Sequence, residues 1–268
     1  MSLFGRAVRY AARKARAGLV AAGKRLRMGA VAMTGDTYKN LYERHAKTVP
    51  PESSIGDGDY DLIGRIELGI LLSEGMTGAT RLVDFGCGTG RLAVHAVGRL
   101  PEGEYIGTDI AEGMLVHARE SVARRYPGTR CRVSWVKQPL DVFPLRADSA
   151  DMICAFSVFT HMEHEDTFRY LKDALRVVRP GGKFVFSCLP VSLGAARDIF
   201  VESASHTFAE RWASVRNVTT SVELMETIAG LAGWRVARWY PGDEMCIPMP
   251  DSSEMRALGQ STCVLQRP

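Results

Sequence analysis

No stretch of this 268-residue sequence approaches the 18 or so consecutive apolar residues that a membrane span needs. None of its six cysteines (Cys87, Cys131, Cys154, Cys188, Cys246, Cys263) belongs to a C-x-x-C pair, which argues against a zinc ribbon or a thioredoxin-type site. Most lie in apolar, strand-like runs and read as reduced core thiols of a cytoplasmic protein. There is no internal repeat and no low-complexity tract.

Acidic residues are missing from the first 35 positions. Eight basic ones (Arg6, Arg9, Arg13, Lys14, Arg16, Lys24, Arg25, Arg27) stand there instead. The rest of the chain carries 26 basic against 30 acidic residues, so the net charge of +4 describes the extension and not the main body. Any polyanion binding rests on that extension alone. Residues 3–28 read as a basic amphipathic helix. Phe4, Val8, Ala11, Ala12, Ala15 and Leu19 follow helical spacing, and Arg6, Arg9, Arg13 and Arg16 lie on another side. Such a helix suits peripheral contact with an anionic membrane at its inner face. It equally suits packing on the body, packing on a second copy in a homodimer, or removal as a transit peptide. The chain thus divides into an extension, 1–35, and a main domain, 36–268.

Helical patterns cover 37–48 and 60–74. After Gly78 strands and helices alternate: strands at 81–85, 104–110, 131–136, 151–156, 183–188, 234–240 and 261–267, helices at 91–100, 112–125, 166–178 and 223–233. That alternation predicts an α/β fold with a mostly parallel sheet covered on both faces. Two segments, 189–221 and 241–259, are too long for simple connections and read as cap or substrate insertions. The first has no dense interleaving of basic and aromatic residues, so no nucleic-acid partner is expected.

The chemistry-bearing signal is Val83-Asp84-Phe85-Gly86-Cys87-Gly88-Thr89-Gly90-Arg91, a strand end running into a helix. Glycines belong where the chain turns tightly and the backbone must approach a ligand. The spacing is G-x-G-x-G, one residue short of the dinucleotide G-x-G-x-x-G. Asp109 ends the next strand, where a carboxylate accepts hydrogen bonds from ribose hydroxyls in nucleoside-binding folds.

DFGCGTGR followed by GTDIAEGML resembles motifs I and II of the class I S-adenosylmethionine-dependent methyltransferases. DMICAFSVFTHM and LRVVRPGGKF are similar to the family's fourth strand and its turn into the fifth, and the resemblance covers roughly 78–190 and the last helix and strand pair. It implies a Rossmann-like, seven-stranded, mostly parallel sheet with the last strand antiparallel. It also implies S-adenosylmethionine as cofactor. Asp84 would stabilise the loop and face the methionine ammonium. Gly86, Cys87, Gly88 and Gly90 would bring backbone to the cofactor, Asp109 would hold the ribose, and Ile110 and Met114 would lie against the adenine. Gln138, with Asp141 as the alternative, would meet the adenine amine, and Phe156 would line the methionine side. Pro180-Gly181-Gly182 would be a structural turn.

His161 follows the fourth strand and is the candidate general base for an oxygen acceptor. His161-Met162-Glu163-His164-Glu165-Asp166 also holds side chains that a divalent ion such as Mg²⁺ accepts. It also reads as a helix start, where acidic residues suit the macrodipole. There is no Asn-Pro-Pro-Tyr or Asp-Pro-Pro-Tyr, which methylation of nucleobase amino groups usually needs. The SVFTH and FSCLP segments resemble bacterial methyltransferases of polysaccharide, glycolipid and secondary-metabolite pathways. The expected function is O-methylation of a hydroxyl on a sugar, glycolipid or small metabolite. N- or C-methylation of a quinone or amine, an inactive cofactor-binding module and a dehydrogenase are the alternatives.

Overall fold

The structure, a computed structural model, describes residues 36–48, 58–213 and 215–268; the amphipathic helix expected over 3–28 lies outside them. Seven strands form one sheet: β1 (Arg81–Phe85), β2 (Glu104–Asp109), β3 (Arg132–Lys137), β4 (Ala150–Ala155), β5 (Val178–Cys188), β6 (Arg235–Tyr240) and, last in the chain, β9 (Ser261–Gln266). Their order is β3-β2-β1-β4-β5-β9-β6. β9 runs antiparallel to both β5 and β6, and the β3-to-β5 pairings are parallel. The two-stranded β7 (Ile247–Pro248) and β8 (Met255–Arg256) stand apart. The expected α/β architecture is therefore the observed one.

The helices are α1 (Asp36–Thr48), α2 (Tyr60–Ser73), α3 (Ala93–Ala96), α4 (Glu112–Arg125), α5 (His164–Val177), α6 (Gly194–Ala204), α7 (Phe208–Arg211) and α8 (Val222–Ala232). Side chains that alternate along the strands feed two cores, as the two-residue period of a strand requires. Val83, Ile153, Phe184 and Phe186 pack under α5 and α8 with Leu171, Ala174, Met225 and Ile228. Leu82, Tyr105, Met152 and Val185 pack under α2 and α3 with Ile66, Ile70, Leu71 and Ala96. Helices on both faces, joined by crossovers, leave the carboxyl ends of β1–β5 at one edge, where open parallel sheets bind ligands.

Two elements differ from the sequence reading. The helix expected over 91–100 is only α3 followed by a 3₁₀ turn, Val97–Arg99. A Cβ on Gly98 would lie 2.8 Å from the Tyr126 ring, so that turn is glycine for close packing at the cost of helix propensity. β5 begins at Val178, ahead of the expected 183, and the Pro180-Gly181-Gly182 turn is a kink inside it. Pairing passes from Ala150–Val178 to Met152–Lys183, and Gly181 has φ +75°.

Of the two insertions, 189–221 carries α6 and α7 and is closed at its base by the Pro190–Thr220 bridge. The Val218 N–H donates to the Thr160 carbonyl at 2.6 Å, which ties the insertion to the segment after β4. The other, 241–259, packs its β7 on α2, with Ile247 and Met249 buried in the α2–α3 core. Its two ends meet beside the start of β9, where the Gly259 N–H donates to the Gly242 carbonyl at 2.8 Å.

Candidate functional site

The glycine loop leaves β1 with Gly86, Gly88 and Gly90 at φ +70°, +55° and +90°, a region that side chains with a Cβ rarely adopt. Gly86 is also sterically fixed: a Cβ there would sit 2.5 Å from Val158 Cγ2. The Gly86 and Cys87 N–H groups both donate to the Thr108 carbonyl, at 2.8 and 2.9 Å, which ties the loop to the end of β2. Cys87 is buried, and burial pushes its thiol well above the ordinary range.

Asp109 ends β2. Its two carboxylate oxygens accept the Gly88 N–H at 3.0 Å and the Ala111 N–H at 2.9 Å. The residue is buried, and desolvation pushes its pKa up to about 6 against those backbone hydrogen bonds. Asp84 lies beneath the loop. It accepts the Tyr105 hydroxyl on one oxygen and the Cys154 thiol at 3.6 Å on the other. Burial raises it further, to about 7, with the Tyr105 hydrogen bond acting in the opposite direction. Its contacts are those of a loop anchor inside the core. Under the same loop, the buried Glu67 pairs with Arg91, and the Tyr60 hydroxyl at the start of α2 lies 3.3 Å from the Thr89 carbonyl and hydroxyl oxygens.

Ile110 is half-buried and Met114 buried at the start of α4. The Gln138 N–H donates to the Asp109 carbonyl at 2.9 Å, so Gln138 stands beside the carboxylate that ends β2. Its amide nitrogen donates to the Pro139 and Val142 carbonyls, at 3.0 and 2.5 Å. Its Oε1 is buried and has no hydrogen-bond partner among the described residues. Asp141, the alternative to Gln138, is turned to the surface, half-exposed and paired with Arg169 at 3.4 Å. A buried acceptor beside a ribose-type carboxylate matches an adenosine, whose exocyclic amine donates.

Across the site, Phe156 is buried after β4, and Ser157 takes φ +58°. His161 ends the short 3₁₀ helix Phe159–His161. Its Nδ1 lies 2.8 Å from the Arg216 carbonyl. The Arg216 guanidinium pairs with Glu163 and lies 4.7 Å over the Trp212 ring, so the 189–221 insertion is clasped to the His161 segment. Helix α1 lies over these ends. Tyr42 meets the His161 ring at 6.4 Å between centroids, and Glu43 pairs with Lys137 at 3.6 Å. The loop, Asp109, Gln138 and His161 thus share one edge of the sheet. Tyr42, Ser157 and Gln260 join them there without any local motif to mark them.

The Mg²⁺ expectation finds no support. Among the described residues no three His, Cys, Asp or Glu side chains group as metal ligands. Glu163 is taken by Arg216 and Asp166 lies 3.7 Å from Arg169. No described helix is long and apolar enough to cross a membrane.

Residues 82–182 match the family described as "Methyltransferase domain". A malonyl-[acyl-carrier protein] O-methyltransferase of Methylococcus capsulatus is 28% identical over 190 residues, covering 70% of this chain and 65% of that protein. A ubiquinone/menaquinone biosynthesis C-methyltransferase of Syntrophotalea carbinolica is 26% identical over 136 residues, covering 47% of this chain and 54% of that one. The chain therefore spans less than two thirds of either relative's length. Among solved structures, magnesium protoporphyrin IX methyltransferase of Synechocystis with bound SAM has a TM-score of 0.57 at 15% identity, over 90% of this chain and all of that one. At such identity the likeness is one of fold.

Proposed function

We propose that this chain, whose residues 82–182 match a methyltransferase domain, is a class I S-adenosylmethionine-dependent methyltransferase that methylates a hydroxyl oxygen of a small acceptor: a sugar, a glycolipid headgroup or a small metabolite. When bound, S-adenosylmethionine supplies an activated methyl group on a sulfonium, so the protein has chiefly to bind and align the two reactants. Gly86, Cys87, Gly88 and Gly90 give the cofactor backbone without side chains in the way. Asp109 holds the ribose, Ile110 and Met114 flank the adenine, and Gln138 accepts from its amine. Phe156 lines the methionine side. Asp84 anchors the loop, and a methionine ammonium placed near it would favour its ionised form.

The single observation that favours oxygen methylation is the His161 ring. A carbonyl oxygen only accepts, so the Nδ1 beside the Arg216 carbonyl carries the hydrogen. In this reading Nε2 of the neutral ring is the atom that takes the proton of the acceptor hydroxyl as the methyl arrives. A carbon acceptor is the second reading, favoured by the quinone C-methyltransferase among the relatives.

Calorimetry with S-adenosylhomocysteine tests the cofactor half. Wild type should bind, and Asp109→Ala should lose about a hundredfold in affinity, the scale of two charge-assisted hydrogen bonds. A wild type that does not bind overturns the assignment. With labelled S-adenosylmethionine and a panel of glycans, glycolipids and hydroxylated metabolites, His161→Ala should lose about 10²–10⁴-fold in kcat at unchanged cofactor affinity. Full activity in that variant, or label recovered on carbon, removes the oxygen reading.

A further inference from the structure

Gln260, just ahead of β9, has no role in the proposal above, yet it stands at the carboxyl ends of β4 and β5. Its Oε1 lies 2.6 Å from Ser187 Oγ and 3.2 Å from Ser157 Oγ. Ser187 is the penultimate residue of β5 and is fully buried. Ser157 stands two residues past the end of β4, at φ +58°. In that conformation its N–H donates to Ser187 Oγ at 2.7 Å.

The direction of this chain of hydrogen bonds is fixed by chemistry. The backbone N–H can only donate, so Ser187 Oγ accepts from it. The Ser187 hydroxyl hydrogen, buried, must find an acceptor, and the Gln260 carbonyl oxygen is the one in reach. Turning the amide over would place an N–H₂ against a hydroxyl whose hydrogen then has nowhere to go. The order is therefore Ser157 N–H to Ser187 O–H to Gln260 Oε1, with the Ser157 hydroxyl donating to the same oxygen. The amide NH₂ of Gln260 is left pointing away from both serines. It makes no hydrogen bond among the described residues, and it belongs to a half-buried side chain whose nitrogen is not sealed from solvent. A donor pair held in place by the two serines and bound to no described residue, at the carboxyl ends of β4 and β5, is available to a ligand.

We propose that Gln260, positioned by Ser157 and Ser187, hydrogen-bonds an sp² oxygen of the acceptor, so that the substrate class is a hydroxyl compound bearing a neighbouring carbonyl or carboxylate. The inference rests on the methyl-transfer reading and narrows it. Gln260 selects and orients; His161 takes the proton. An acceptor with no second oxygen beside the reacting hydroxyl would leave the amide donors without a partner, a cost that discriminates against it.

The test uses the full chain saturated with S-adenosylhomocysteine and three probes on one scaffold: salicylate, 2′-hydroxyacetophenone and phenol. Binding is read by calorimetry or ligand-observed NMR. Salicylate or 2′-hydroxyacetophenone should bind about tenfold more tightly than phenol, the value of one good hydrogen bond. Which of the two wins assigns carboxylate or carbonyl. In Gln260→Glu the oxygens that hold the serines stay and the donor goes. In Gln260→Met the donor goes without adding charge. Both variants should lose the preference over phenol while S-adenosylhomocysteine affinity stays within about twofold. Equal binding of all three probes to wild type overturns the proposal, as does a preference that persists in Gln260→Met. A loss confined to Gln260→Glu is charge repulsion and also overturns it. Failure of wild type to bind S-adenosylhomocysteine removes the methyltransferase reading, and this one with it. Binding of S-adenosylhomocysteine with a probe preference indifferent to Gln260 removes this one alone.

Discussion

The two ends of the site are built differently. At the ends of β1 and β2 the contacts that tie the glycine loop to its neighbouring strand are close in sequence: Asp84 with Tyr105 and Gly88 with Asp109 are each 21 positions apart. At the ends of β4, β5 and β9 the partners come from far away, with 55 positions between His161 and Arg216 and 103 between Ser157 and Gln260. The first half is one strand–loop–helix–strand unit whose geometry is fixed by glycines and buried carboxylates. The second is assembled from the bases of two insertions. A protein so divided can keep a cofactor while its acceptor changes, because insertions at strand ends alter one half and leave the other untouched.

The comparison breaks first at Gly86. Val in its place must take φ +70° and push into Val158, so S-adenosylhomocysteine affinity should fall about a hundredfold or more, with a lowered Tm. An unchanged affinity would show that the loop is not the rigid half. On the other side, Arg216→Met removes the ion pair to Glu163 and the stacking on Trp212. Expected there is about a tenfold drop in kcat/KM as His161 loses its fixed orientation, with cofactor affinity within about twofold. A cofactor defect in that variant would join the two halves.

Acid sharpens the contrast further. In the proposed site Asp109 holds ribose hydroxyls far more strongly as the carboxylate than as the neutral acid, and burial has raised its pKa to about 6. S-adenosylhomocysteine affinity should therefore fall by up to about tenfold per pH unit below that value, and a flat profile from pH 7 to 5 would sink the assignment. The smallest effect expected is on stability. Asp84 is near 3.8 when unfolded and about 7 when folded, so the folded state holds the proton between those values. Its burial cost is absent below about pH 4 and fully present above about pH 7. Asp84→Asn should raise the Tm of the free protein by a few degrees above pH 7, and the difference should fade toward pH 4. Scanning calorimetry at the two pH values checks it.

Legibility in the sequence follows the same division. That the glycine loop, Asp109 and Gln138 come together at the ends of β1, β2 and β3 could be read because each sits one strand or one turn from a recognisable pattern, and the alternation of strands and helices carried the sheet. The antiparallel insertion of β9 came from the family resemblance, since no local period marks a strand's direction. Tyr42 and Gln260 were invisible because their positions are created by what faces them. Gln260 lies in an irregular stretch, and only the folding of β9 between β5 and β6 brings it to Ser157 and Ser187. The length of the 91–100 helix was overestimated because apolar spacing does not reveal that Gly98 is pressed against Tyr126.

β9 is the last described strand to emerge during synthesis, yet it takes an interior place in the sheet, hydrogen-bonded on both sides. Until it arrives, β5 and β6 present two open edges rich in Phe, Val and Trp, the kind of surface on which nascent chains pair wrongly. The Ser157–Ser187–Gln260 contacts can form only once β9 has been synthesised and inserted, so the glycine loop and the ends of β1–β3 are complete while the sheet still waits for its closing stave.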